Sequence, residues 1–161
     1  MTVLVPMSAE AYSDYLRVAV AGYAKDNVDA GRWPEAGALV RSLTDFRSSL
    51  PKGLETPDNY LFEIKAAARG PTVGFIWFAI EETHGIRHAF IYDIEVKPAY
   101  RRQGHAMAAL QAIESRVHEL GISSIGLHVF AHNPGAQALY AKLGFDVVSI
   151  NMRKNICIKL A

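Results

Sequence analysis

The chain has 161 residues, 50% of them hydrophobic, 10% aromatic and 20% charged, the profile of a soluble globular protein rather than a disordered or fibrous one. Seventeen Lys and Arg against sixteen Asp and Glu leave a net charge of +1, which argues against nucleic-acid binding through a global positive field and against a polybasic membrane anchor. A single cysteine, Cys157, rules out an intramolecular disulfide and a cysteine metal cluster, and no apolar run approaches the roughly 18 residues that would span a membrane.

The N-terminal stretch Met1-Thr-Val-Leu-Val-Pro-Met7 lacks the basic start and long apolar run of a signal peptide, so a reducing cytoplasm is the expected compartment. Residues 8 to about 30 read as a helix. Ser8 can cap it, and Tyr12, Tyr15, Leu16, Ala19, Val20 and Tyr23 recur at helical spacing. Gly31-Arg-Trp-Pro34 breaks that helix, and a second is expected from Pro34 or Glu35 to about Leu50. Pro51-Lys-Gly53 and Thr56-Pro-Asp-Asn59 mark loops.

From Tyr60 the period changes to that of strands. Leu61–Lys65, Thr72–Ile80 and His88–Val96 alternate or run apolar between the short turns Arg69-Gly-Pro71 and His84-Gly85, which predicts an antiparallel meander. After Gly104, Ala106, Leu110, Ile113, Val117 and Leu120 form a helical stripe that Gly121 ends. Ile125, Leu127 and Val129 then alternate, so residues 91–130 read as strand–helix–strand with a parallel pairing. Asn133-Pro134 is an N-cap followed by Pro at the first helical position, Gly144 closes that helix, and Phe145–Ile150 and Met152–Leu160 are expected as final strands. With no repeat, low-complexity tract or linker, residues 1–161 are expected to form one mixed α/β domain. Cys157, within the last of these strands, is expected as a buried small hydrophobe, with a nucleophilic role as the alternative.

The segment Ile91 to Ala106 points most directly at a ligand. A strand leads into a turn dense in cationic side chains and backbone N–H donors, and then into a helix. The first N–H groups of a helix lack partners and the macrodipole is positive there, which suits an anion. In Arg101-Arg-Gln-Gly-His-Ala106 a glycine allows close approach between two guanidinium groups and a helix start. The three glycines of a dinucleotide loop and the Gly-Lys-Ser/Thr of a P-loop are both absent. A basic helix entry making only surface ion pairs is the plain alternative.

Arg101-x-x-Gly104-x-Ala106, preceded by a strand ending in Val96-Lys-Pro98, resembles the acetyl-CoA pyrophosphate loop of the GNAT superfamily of N-acetyltransferases. Leu127-His-Val-Phe-Ala-His-Asn133, Ala138-Leu-Tyr140 and Leu143-Gly-Phe145 resemble that family's next strand, helix start and Tyr-x-x-x-Gly-Phe ending, and together the match covers about residues 88–155. Leu50-Pro-Lys-Gly-Leu54 and Asn59-Tyr60 also resemble an uncharacterised bacterial subgroup of the family.

The resemblance implies an acyl-CoA N-acyltransferase fold, with a central, mostly antiparallel sheet and helices on both faces. It also implies acetyl transfer from acetyl-CoA to a primary amine of a small molecule or peptide, by direct attack in a ternary complex. Backbone groups of Ile94, Glu95 and Val96 would hold the pantetheine arm, and Arg101, Arg102, Gln103, Gly104, His105, Ala106 and Met107 would surround the pyrophosphate. Asn133 would contact the cofactor, and Tyr140 would protonate the leaving thiolate, a transfer its phenol can make. Tyr140 could equally be a core aromatic with a satisfied hydroxyl.

The base that must take the amine proton is less plainly marked. The positions where several family members carry Glu or His correspond to Phe90 and Tyr92. Asp93 and Glu95 fall on the opposite face by period-2 counting unless a bulge shifts the parity. His128 on the neighbouring strand is another candidate, and each of these has a structural hydrogen-bonding role as its alternative. Tyr23, Trp33 and Tyr92, with Arg32, are candidates for the acceptor pocket, although the aromatics could simply close the core. His128 and His132 lack an evident third ligand, so no metal is expected. A non-catalytic acyl-CoA sensor and a purely structural domain are the competing readings. Homodimers are common in the family, and nothing in the sequence decides that point.

Overall fold

Residues 1–157 are described by a computed structural model. In chain order they form β1 (Val3–Pro6), α1 (Ala9–Asp29), α2 (Ala38–Ser49), β2 (Asn59–Lys65), β3 (Thr72–Thr83), β4 (Ile86–Val96), α3 (His105–Glu119), β5 (Ile125–Leu127) and α4 (Pro134–Lys142). Single 3-10 turns lie at Gly53–Glu55 and Pro98–Tyr100. Ser8 caps α1 as expected, its Oγ accepting from the Ala11 N–H at 3.1 Å.

The strands stand in the order β1-β2-β3-β4-β5, antiparallel except for the last pair. β2, β3 and β4 are the expected meander, and α3 is the crossover that lets β5 return parallel to β4. This is the mixed α/β fold, mostly antiparallel with helices on both faces, that the sequence motifs imply. β3 shows why both faces are covered. Its alternate residues Ile76, Phe78 and Ile80 pack with Ile113 and Val117 of α3, while Trp77 packs with Tyr15, Ala19 and Phe46 of α1 and α2. A strand buried on both sides reads as a continuous apolar run, and Val-Gly-Phe-Ile-Trp-Phe-Ala-Ile is such a run.

Several expectations need correction. β1 was not anticipated; four residues ending in Pro6 carry too little pattern, and β1 forms by pairing Val3–Pro6 against Lys65–Phe62 at the sheet edge. α2 starts at Ala38 rather than Pro34 or Glu35, because a turn closed by the Ala38 N–H to Glu35 O bond comes first. Leu120 is 42% exposed; Ala109 joins the stripe instead, and Ile122 turns back into the core. The strands expected over Phe145–Ile150 and from Met152 are absent among the described residues, where 145–157 run without regular structure. Ile158, Lys159 and Leu160 of the second lie outside the described residues. Cys157 is exposed, not buried.

Candidate active site

A single irregularity in β4 decides which side chains share a face. Pairing with β3 runs Ala79↔Phe90 and Phe78↔Ile91, then jumps to Trp77↔Asp93 and Ile76↔Ile94, so Tyr92 is an extra residue opposite no partner. Such a bulge reverses the in–out alternation beyond it. Ala89, Ile91 and Ile94 therefore pack towards α3. Asp93 and Glu95 come to the side of Trp77 and Phe75, with Phe90 and Tyr92. Parity counting puts them on the opposite face; the bulge brings both acids round.

β5 accompanies β4 only along Ala89–Ile91, and past that point the two strands part. The backbone of Ile94, Glu95 and Val96 is consequently paired to β3 on one side and, among the described residues, has no strand on the other. The gap opens into a cavity of about 510 Å³, whose walls include Ile94, Glu95, His128, Phe130, Asn133 and Tyr140. Towards α1 and α2 the same cavity is lined by Tyr23, Asp26, Arg32, Asp45, Tyr92 and Asp93. Its size is that of a small-molecule site.

Asp93 sits where the two halves of the cavity meet. Burial raises its carboxyl from 3.8 to about 6, helped by the charges of Glu95 and Asp26 and opposed by the hydrogen bond it accepts from Tyr15. Tyr15, buried in the α1 face, donates its hydroxyl to Asp93 Oδ2 at 2.8 Å, and burial together with Asp93 raises its own pKa well above 10.0. Tyr140, half-buried beside Phe145, is also raised, first by burial and then by the Asp93 charge, so its phenol keeps its proton at neutral pH.

His128 is lowered by burial and by Arg32, which leaves a neutral imidazole near pH 7. Tyr92 is pushed up to about 12 by burial and by donating to Glu81, and its ring stacks on Trp77 at 4.6 Å. A phenol that tightly protonated is no base. Its place is in the aromatic wall.

The basic turn lies at the surface beyond the cavity. Arg102 and Gly104 both have positive φ, 62° and 84°, and Gly104 caps α3 without a side-chain hydrogen bond, leaving the first N–H groups of the helix uncapped. A Cβ at Gly104 would meet nothing within 4 Å, so backbone conformation and not crowding is what calls for glycine here. Arg101 Nε donates to Val96 O at 2.9 Å, and Gln103 Nε2 to Ala99 O, and these bonds brace the turn. His105 instead bonds Thr2 through Nδ1 at 3.0 Å.

Of the residues expected at the site, Tyr23, Tyr92, Ile94, Glu95, His128, Asn133 and Tyr140 line one cavity. Val96, Arg101 to Met107 and Trp33 do not line it. Trp33 lies edge-on against Tyr23 at 5.3 Å and supports that wall from behind. Asn133 caps α4, its Oδ1 accepting from the Ala136 N–H at 3.2 Å, and its Nδ2 makes no hydrogen bond among the described residues. Tyr15, Asp26 and Asp45 were not among the expected site residues, and Asp93 was a candidate base only if a bulge shifted the strand's parity, as it does. Among the described residues no group of three His, Cys, Asp or Glu could hold a metal ion, and no helix is long and apolar enough to cross a membrane.

Residues 26–145 match the model of the Acetyltransferase (GNAT) family. The chain is 38% identical over 153 residues to the uncharacterized N-acetyltransferase YycN of Bacillus subtilis, covering 95% of this chain and 97% of that one. It is 34% identical to the uncharacterized N-acetyltransferase YdgE of the same organism, over 94% and 96% of the two chains. A shorter match, 38% over 80 residues, is to the [ribosomal protein bS18]-alanine N-acetyltransferase of Haemophilus ducreyi, covering 50% of this chain and 53% of that one. The crystal structure of B. subtilis YycN superposes with a TM-score of 0.92, covering 98% of this chain and all of that one.

Proposed function

The chain belongs to the GNAT acetyltransferase family, and from that premise we propose that it moves an acetyl group from acetyl-CoA to a primary amine of a small molecule or peptide, by direct attack in a ternary complex. The observation that carries the reading is the parting of β4 from β5, which leaves the backbone of Ile94–Val96 open beside a cavity with Asp93 and Tyr140 in its walls. The pantetheine arm would lie along that open backbone, with Asn133 Nδ2 across the gap. The pyrophosphate would sit over the uncapped start of α3, between Arg101, Arg102, Gln103 and Gly104, on the N–H groups running to Met107.

In this reading the amine occupies the half of the cavity lined by Tyr23, Tyr92 and Asp93. Asp93, ionised roughly ten to one at pH 7 for a pKa of about 6, takes the proton as the amine nitrogen attacks the thioester carbonyl. An N–H of the open β4 backbone polarises the carbonyl oxygen. As the intermediate collapses, the C–S bond breaks and Tyr140 gives its proton to the sulfur. Glu95 and His128 stand on the same walls and serve as alternative proton acceptors through water. Tyr15 positions Asp93 and keeps its own proton.

The case for a non-catalytic acyl-CoA sensor rested on Phe90 and Tyr92 at the usual base positions, and Asp93 on the same face weakens it. The relative from Haemophilus ducreyi is an alanine N-acetyltransferase of ribosomal protein bS18, which supports an amine as the acceptor class but not the molecule. With acetyl-CoA as donor, the reading puts the reaction in the cytoplasm.

The test is release of CoA thiol across a panel of amines. Tyr140→Phe should lower kcat about a hundredfold while acetyl-CoA binding measured by calorimetry stays within about threefold. Binding without thiol release from any amine would favour the sensor, and unchanged turnover in Tyr140→Phe would remove the phenol from the mechanism.

A further inference from the structure

The acceptor half of the cavity has walls of two kinds. On one side aromatic rings stand in unbroken contact: Phe90 lies edge-on to Tyr92 at 4.9 Å, Tyr92 stacks on Trp77 at 4.6 Å, and Trp77 meets Phe46 of α2 at 5.7 Å. All four line the cavity. Trp77 and Phe46 are buried, but Tyr92 stays 42% exposed although Trp77 covers one face of its ring. From α1, Ala19, Gly22, Tyr23 and Asp26 line the same cavity, at the spacing of one side of a helix.

Gly22 is the unexpected member of that row. It stands inside a 21-residue helix, where glycine is less stable than alanine. Its φ is not in the positive range, and a Cβ there would meet nothing within 4 Å among the described residues outside its own helix. Neither backbone conformation nor crowding therefore calls for glycine. What the missing side chain leaves is room in the cavity.

We propose that this room is a slot for a flat apolar group, and that the acceptor is an arylalkylamine, a primary amine on a short chain ending in an aromatic ring. The inference rests on the acetyl-transfer reading above. The ring lies between the Gly22 backbone and Tyr92, and the chain brings the amine to Asp93, the next residue of β4. Gly22 sets the width of the slot. The competing occupant is a diamine whose second cation is held by Asp26 and Asp45. Both carboxylates are exposed, and Asp26 already stands 3.8 Å from His132 Nε2, so a cation held there gains no more than a surface ion pair does. Covering the open aromatic surface gains in proportion to its area, and ring-on-ring contact adds to that.

With acetyl-CoA saturating, kcat/KM for phenethylamine should exceed that for ethylamine, and that for diaminobutane, by about thirtyfold or more. Gly22→Leu keeps a good helix former in α1 and fills the slot. Its melting temperature should not fall below that of the wild type, while the preference for phenethylamine over ethylamine shrinks by about tenfold or more. Gly22→Ala, the milder plug, should reduce the same preference by about threefold, and carries the test should leucine not be accommodated. Calorimetry on the CoA-loaded protein reads the slot without chemistry: phenethylamine should bind the wild type and lose about tenfold in affinity in Gly22→Leu. Equal kcat/KM for phenethylamine and ethylamine, a preference for diaminobutane, or a preference that neither Gly22 variant changes would each overturn the slot. Binding of phenethylamine that Gly22→Leu weakens, with no CoA released by any amine, would uphold the slot and overturn the transfer reading instead.

Discussion

Asp93 is the residue on which chemistry and stability pull apart. Its carboxyl is raised from 3.8 to about 6, chiefly by burial, so the folded protein holds this proton more tightly than the unfolded chain does. The resulting stability is complete below about pH 4 and is lost as pH rises through about 6. Asp93→Asn keeps an oxygen for the Tyr15 hydroxyl but cannot ionise. The variant should therefore be more stable than the wild type above pH 6, by up to about 3 kcal/mol and with a higher melting temperature, and the difference should close in acid. Activity should go the other way: the rise in kcat/KM through pH 6 disappears and kcat falls by a hundredfold or more. A variant no more stable at pH 8 than at pH 4, relative to wild type, would show that Asp93 is not raised. Residue identity alone could not place this group. Alternation assigns Asp93 to the wrong face, and the extra residue at Tyr92 is a property of β3 and β4 paired together. Tyr140, by contrast, was legible because its signal is local, a helix bounded by Asn133-Pro134 and Gly144-Phe145.

At the scale of elements, what was legible followed from period and punctuation. Ser8, Gly104 and Asn133 mark helix starts within a residue, and the β2–β4 meander announces itself through apolar runs between turns. The final strands were read from the same kind of alternation and are absent among the described residues, since a pattern records that a segment suits a sheet but not where its partner strand comes from. Gly74 shows how closely the two central strands must meet beside the site. A Cβ there would lie 2.1 Å from Glu95 O and 3.1 Å from Val96 Cα, both backbone atoms that cannot swing aside. Gly74→Ala should push β4 outward at the stretch proposed to hold pantetheine. We expect the KM for acetyl-CoA to rise about tenfold, with a stability loss of about 1–3 kcal/mol typical of overpacking. A loss of stability with an unchanged KM would separate Glu95–Val96 from cofactor binding.

For the molecule as a whole, a net charge of +1 conceals a division of charge that composition cannot express. The cavity's amine side carries Asp26, Asp45 and Asp93 against Arg32, while the turn before α3 carries Lys97, Arg101 and Arg102. The fold sets a negative half facing the proposed amine beside a positive half facing the proposed phosphates. Clefts focus such fields, so each half attracts its own ligand, and salt screens both over about 10 Å at 0.1 M. Asp45 allows the halves to be tested separately, because it is exposed at the rim and makes no ion pair among the described residues. Asp45→Asn should raise the KM for a cationic amine severalfold and flatten its dependence on salt, leaving the KM for acetyl-CoA and its salt dependence as they were. Arg102→Gln should do the converse. If Asp45→Asn leaves the amine KM untouched, the acceptor does not approach past α2, and the amine half of the cavity must be entered from the side of His128 and Phe130.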